Sequence, residues 1–172
     1  MKIVFLQQLK YEWQAPMILS AIAKQESCET KLYISGKAEK AAKYAIRDNP
    51  DIVVFASITT GNYSYVNKCA EIIKNHMNTI ILAGGIHISI NYRHLDMTYI
   101  DIFGIGEGEY TFKLLIQALK NKKELSGVPG IVYNHNGIRK VNALKYILDI
   151  DKIPLMDRDL YYRYSIFRKE KV

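Results

Sequence analysis

Five short, continuous apolar runs constrain this chain more than anything else in it. They cover residues 2–6, 30–35, 51–57, 78–83 and 101–105, and each is separated from the next by a longer stretch. Runs such as Asp51-Ile-Val-Val-Phe-Ala-Ser57 are apolar at consecutive rather than alternate positions, which suits strands covered on both faces. The stretches between them carry helical periodicity. Ala15, Ile18, Leu19, Ile22 and Ala23 share a face, as do Val66, Cys69, Ile73 and Met77, and later Phe112, Leu115, Ile116 and Leu119. Helices are therefore expected from about Ala15 with Pro16 in the first turn, over residues 37–47, 63–77 and 109–121. Residues 86–99 are ambiguous, with room for one or two helical turns.

Strand and helix alternating in this way predict an α/β fold. The expected form is a Rossmann-like (flavodoxin-like) three-layer sandwich with a five-stranded parallel sheet of order 2-1-3-4-5. After residue 125 the pattern changes. Two β-like runs, residues 130–133 and 138–141, flank Asn134-His135-Asn136-Gly137, and Asn-Gly in that position predicts a hairpin. It is expected as a C-terminal appendage to the sheet. Residues 149–159 read as a linker, and residues 160–172 are rich in Tyr and Arg without periodicity. The division expected is residues 1–125 as the α/β domain and 126–172 as hairpin and linker.

At 172 residues and 49% hydrophobic content the chain can bury one full core. Lys and Arg exceed Asp and Glu by 24 to 17, a net +7. The basic residues are scattered (Lys37, Lys40, Lys43, Lys120, Lys122, Lys123) with no stripe interleaved with aromatics, so they read as a solvated face rather than a nucleic-acid surface. Nucleotide or nucleic-acid binding stays open as a third reading. Cys28 and Cys69 alone provide neither a disulfide framework nor zinc spacing. With no signal peptide and no apolar run long enough to span a membrane, the expected location is the cytoplasm.

Ligands of open parallel sheets bind beyond the carboxyl ends of the strands. Three such ends here are bare: Ala56-Ser57 with Thr59, then Gly84-Gly85, then Gly104, Gly106 and Gly108. Glycine lets a bulky flat ligand approach backbone N–H groups. Familiar nucleotide sites do not fit. The first strand leads into Gln7-Gln8-Leu9-Lys10 rather than a dinucleotide fingerprint, and there is no phosphate-binding Gly-Lys-Ser/Thr. Ser57 stands where a receiver domain would place its phospho-acceptor Asp, and a Ser/Thr-rich flavin phosphate loop is missing. Glu107 and Glu109 precede a helix, where a carboxylate offsets the dipole whether or not it meets a ligand.

These residues carry a resemblance. Residues 51–59, then Gly84-Gly85-Ile-His87-Ile-Ser89, then Gly106-Glu107-Gly108-Glu109-Tyr-Thr111, resemble the N-terminal cobalamin-binding domain of cobalamin-dependent radical S-adenosylmethionine enzymes. Residues 127–133 and 153–160 resemble that family's bridge into the radical domain. The resemblance implies a corrin ring on the sheet edge and a nucleotide tail entering a slot between strands. Ser57 and Thr59 would line the slot, Gly84 and Gly85 would let the tail pass, His87 would follow in the same loop, and Gly106, Glu107, Gly108 and Glu109 would shape the rim. The loop after the first strand lacks the cobalt-ligating His of methionine-synthase-like domains; Gln7, Tyr11 or Trp13 would cover the lower face instead. No metal ligand is assigned to the chain.

The resemblance also implies a methyltransferase, or a cyclase of the magnesium-protoporphyrin monomethyl ester type, with a [4Fe–4S] cluster and S-adenosylmethionine in the intact enzyme. Neither would be bound here, because no Cys-x-x-x-Cys-x-x-Cys is present. The expectation is a truncated domain, non-catalytic alone, whose partners are cobalamin and a missing radical domain. The alternative is a cofactor-free structural or protein-docking module of the same fold. The hairpin's Tyr and Val faces leave an oligomer open.

Overall fold

The computed structural model describes residues 1–145 and 150–168. A mixed sheet forms its centre, in the order β2-β1-β3-β4-β5-β6-β7. The strands are β1 (Lys2–Gln7), β2 (Glu29–Ile34), β3 (Ile52–Phe55), β4 (Ile80–Gly84), β5 (Ile102–Gly104), β6 (Ile131–His135) and β7 (Ile138–Val141). The first five are parallel, as the apolar runs imply.

Alternation along each strand feeds two cores. Val4, Leu6, Val53, Phe55, Ile81, Ala83 and Phe103 face one way, toward α2 (Ala38–Asp48), α3 (Tyr63–Lys74) and the short α4 (Ile86–Asn91). Ile3, Phe5, Leu32, Ile52, Val54, Leu82 and Ile102 face the other, toward α1 (Gln14–Gln25) and α5 (Gly108–Lys120). The buried face of α2 is almost all alanine (Ala38, Ala41, Ala42, Ala45), so this thin helix lies close to the sheet. It ends where Asn49 turns left-handed at φ 47° ahead of Pro50.

The sheet has seven strands where the sequence predicts five, because the hairpin is not an appendage. β6 pairs antiparallel with β5, placing Tyr133 opposite Ile102, Val132 opposite Phe103 and Ile131 opposite Gly104. The reason is burial: Ile131, Val132 and Tyr133 are apolar on both faces and feed both cores, as a strand inside the sheet must. The turn itself follows the Asn-Gly rule, with Asn136 at φ 52° and Gly137 at φ 77°. Smaller differences concern boundaries: α3 stops at Lys74, and α4 occupies only the start of the ambiguous stretch.

Among the described residues of the expected linker and tail, Asp157 binds α1, and Leu160 and Tyr161 in α6 (Asp159–Tyr162) are buried. Residue 149 of the linker and residues 169–172 of the tail lie outside the described residues.

Candidate functional site

The site is a consequence of strand alternation. Val54, Leu82 and Ile102 sit on the α1/α5 face of β3, β4 and β5. Two residues further along each chain are Ala56, Gly84 and Gly104, on the same face and with almost no side chain. Gly84 pairs directly with Gly104 across the β4–β5 ladder. A row of near-empty positions therefore lies above an apolar row. The helices opposite contribute small residues too, Ala15 near the start of α1 and Gly108 at the start of α5. The result is a cavity of about 350 Å³ at the carboxyl ends of β3, β4 and β5, between the sheet and the α1/α5 layer. It is not a gap between strands.

The inner end is formed by Leu19, Val54, Leu82, Phe112 and Leu115, and the mouth by Ser57, Thr59, Ile86, Gly106, Glu107 and Glu109. Among the described residues, its only formally charged lining residues are Glu107 and Glu109, and no Lys or Arg lines it. Glu107 occupies the cap position of α5 without a side-chain capping hydrogen bond, and Glu109 lies in the first turn, where the helix dipole favours it.

Two loops are clamped together at the mouth. The Ile58 N–H donates to the Gly84 carbonyl at 3.0 Å, and the His87 N–H donates to the Ile58 carbonyl at 3.1 Å. Between these bonds Gly85 adopts φ 131° and ψ 179°. A Cβ there would lie 2.2 Å from the Ile58 nitrogen, so only glycine fits the crossing. Ser57 pays for the same crossing with a left-handed φ of 61°, unusual for a residue with a side chain. The β5–α5 loop is tied in when the Gly106 N–H donates to Ser89 Oγ at 3.0 Å.

Of the residues singled out from sequence, Ser57, Thr59, Gly84, Gly85, Gly106, Glu107, Gly108 and Glu109 share the cavity wall. Gln7, Tyr11 and His87 are not on it. Gln7 is buried, its Nε2 donating to the carbonyls of Leu9 at 2.5 Å and Tyr11 at 2.7 Å. Tyr11 is exposed and meets Trp13 edge-on at 5.1 Å. Trp13 does reach the wall. His87 turns behind the mouth: Nδ1 lies 3.0 Å from Thr60 Oγ1, the ring packs 4.8 Å from Tyr63, and Nε2 is buried without a hydrogen-bond partner among the described residues.

Sequence reasoning did not single out Leu19, Leu82, Phe112 and Leu115 as site residues. Their signal is identical to that of core positions, and only the small row above Leu82 could have marked them. Burial pushes the Cys69 thiol up to about 12 and raises that of Cys28, so neither offers a thiolate near neutral pH. No group of three or more His, Cys, Asp or Glu residues suited to a metal is present among the described residues. No helix among them is long and apolar enough to cross a membrane.

The chain is 34% identical over 123 residues to an uncharacterized methyltransferase of Pyrococcus horikoshii, covering 69% of this chain and 27% of that one. The cobalamin-dependent S-adenosylmethionine radical enzyme OxsB with aqua-cobalamin bound superposes with a TM-score of 0.81 at 21% identity, covering 96% of this chain and 25% of that chain. The radical S-adenosylmethionine methyltransferase TsrM from Kitasatospora setae, with cobalamin and a [4Fe–4S] cluster bound, gives 0.68 at 16% identity, covering 89% and 30%. The chain thus spans about a quarter to a third of the length of these proteins. The structural likenesses establish the fold. The B12 binding domain model matches residues 11–116, more than half of the chain, and the chain belongs to the B12 binding domain family.

Proposed function

We propose that this chain is the cobalamin-holding module of a larger radical S-adenosylmethionine enzyme, a methyltransferase or cyclase. The observation that carries the reading is the apolar slot beneath Ala56, Gly84 and Gly104, opening between the Ser57–Thr59 and Gly106–Glu109 turns and free of Lys and Arg among the described residues. A nucleoside di- or triphosphate would meet two carboxylates there and no cation among the described residues. A corrinoid suits it better: its ring is flat and rimmed by neutral amides, and its tail ends in an apolar base. The volume falls within the range of cofactor pockets.

In this reading Leu19, Val54, Leu82, Phe112 and Leu115 would hold the base. Gly84 and Gly104 would leave room for the tail, while Ser57, Thr59 and the Gly106–Glu109 turn would meet the ring edge. No histidine lines the cavity among the described residues, so binding there would rest on apolar contact and backbone rather than on an imidazole of the cavity wall. Gln7 would act by holding the β1–α1 loop, from which Tyr11 and Trp13 would cover the ring. When bound, cobalamin supplies methyl-carrying cobalt chemistry; the protein supplies binding, orientation and exclusion of water.

The test is a visible-spectrum titration with hydroxocobalamin and methylcobalamin, followed by gel filtration. Stoichiometric retained colour is expected, with band positions showing the benzimidazole detached from cobalt. A chain that is folded by circular dichroism yet retains no colour overturns the reading in favour of a cofactor-free docking module.

A further inference from the structure

We infer that Tyr161 is a positioning residue of the cofactor slot: from the segment after the hairpin, its hydroxyl fixes the β1–α1 loop that carries Trp13 on the slot's wall. This rests on the cobalamin-holding reading for its ligand, but not for its geometry.

The β1–α1 loop has little packing of its own. Leu9 is 54% exposed and Tyr11 62% exposed, and the loop's internal backbone bond is local, from Tyr11 N–H to the Leu9 carbonyl. Its position rests on two side chains. The Gln7 amide group holds the loop carbonyls of Leu9 and Tyr11. The Tyr161 hydroxyl donates to Gln7 Oε1 at 2.5 Å and accepts the backbone N–H of Trp13 at 3.2 Å. One phenol therefore bridges both ends of the loop. The ring of Tyr161 is fully buried, against Phe167 at 5.4 Å, so the hydroxyl cannot swing away. Burial also raises its pKa, which keeps the proton on the oxygen at physiological pH.

The segment bearing Tyr161 is itself anchored. Asp157 accepts from Ser20 Oγ at 2.5 Å and pairs with Lys24 at 2.7 Å, both on α1. Its own N–H donates to the Met17 carbonyl at 3.2 Å. On the other side, the Tyr164 hydroxyl donates to the Leu32 carbonyl at 2.9 Å and accepts the Ile34 N–H at 3.2 Å, covering the edge of β2. The segment after the hairpin thus straps α1 and β2, and Tyr161 is where the strap reaches the loop. Tyr164 belongs to the same strap without reaching it.

That difference supplies the control. Tyr161→Phe keeps the ring and removes the hydroxyl; Tyr164→Phe removes a hydroxyl that touches only β2. Trp13 is the chain's single tryptophan, so its emission reports the loop directly in the cofactor-free protein. Tyr161→Phe is expected to increase acrylamide quenching of Trp13 at least twofold and to weaken hydroxocobalamin binding about tenfold, while Tyr164→Phe changes neither. Gln7→Leu, which removes the bridge from the strand side, should reproduce both effects and serves if Tyr161→Phe does not fold. Wild-type quenching in Tyr161→Phe, or equal effects of Tyr161→Phe and Tyr164→Phe, overturns the inference. If the wild-type protein binds no cobalamin but Tyr161→Phe still frees Trp13, the positioning role stands and the cofactor reading falls.

Discussion

Gly85→Ala should damage the protein before any cofactor is involved. The residue sits at φ 131° and ψ 179°, a region essentially reserved for glycine. Holding alanine there costs about 1–3 kcal/mol. The added Cβ would also lie 2.2 Å from the Ile58 nitrogen and 2.8 Å from its oxygen. These are backbone atoms and cannot rotate aside, so the two hydrogen bonds clamping the loops must loosen, at about 1 kcal/mol each. A total near 4 kcal/mol is expected, which for a chain of this size lowers Tm by roughly 10 °C. Thermal and urea unfolding of the cofactor-free protein measure it directly. Gly84→Ala is the comparison: its Cβ would meet only the Gly104 carbonyl, at 3.6 Å. Its stability should stay within about 1 kcal/mol of wild type, while hydroxocobalamin retention falls. If Gly85→Ala unfolds like wild type, the crossing is not as rigid as argued. If Gly84→Ala is the more damaging of the two, the assignment of backbone role to one glycine and ligand room to the other is refuted.

Leu82→Phe should fill the slot from the sheet side, costing about 1–3 kcal/mol in stability and at least tenfold in cobalamin affinity; unchanged retention on gel filtration would locate the ligand elsewhere. Asp48 is pulled in two directions, burial raising its pKa and the Tyr33 hydroxyl and Lys31 lowering it, with a net fall below 3.8. A carboxylate depressed in the folded state stabilises above its unfolded pKa and loses that contribution as pH falls through the folded value. Asp48→Asn should therefore lower Tm at neutral pH, with the difference from wild type closing below pH 3.8; a constant difference would refute the ion pair's role. Finally, because the basic residues form no stripe, mobility-shift assays with RNA or DNA at low salt should show no tight, salt-sensitive complex; finding one would revive the nucleic-acid reading.

The parallel part of the fold was legible because its information is local. Residues 52–56 cannot be a surface strand when every position is apolar, and the helices between such runs leave few topologies. The hairpin was legible as a hairpin from Asn136-Gly137, but pairing between β5 and β6 is a choice of neighbour, and no local pattern states it. Ile131, Val132 and Tyr133 held a clue, since a hairpin standing apart has no use for a run apolar on both faces. The tail was illegible for a stronger reason. α6 is four residues long, too short for periodicity, and Tyr161 acts through Gln7, 154 positions away in sequence. In the site, the bare strand ends were visible as glycines. What could not be read was which glycine serves the ligand and which the backbone, because Gly84 and Gly85 are neighbours with the same letter and different conformations.

The slot is made by missing side chains rather than by missing backbone, and this decides how it should evolve and fail. Ala56, Gly84 and Gly104 leave a row empty on three adjacent strands, but the ladder through Gly84 and Gly104 is intact and the row beneath is packed. The sheet thus keeps its hydrogen bonds and its core whether or not the row is filled. Replacing Gly84 with alanine closes space without breaking the scaffold, whereas a fold that made its pocket by parting strands would unfold when the pocket was lost. A descendant could therefore lose its cofactor by one or two small substitutions and persist as a docking module. The two functional readings are for that reason separated by the size of the residues at positions 84 and 104, not by the fold. Both positions retain glycine in this chain, with a Cβ at Gly104 meeting nothing nearer than 4.0 Å. Packing alone demands glycine at neither, which is why a ligand is the better explanation for the pair.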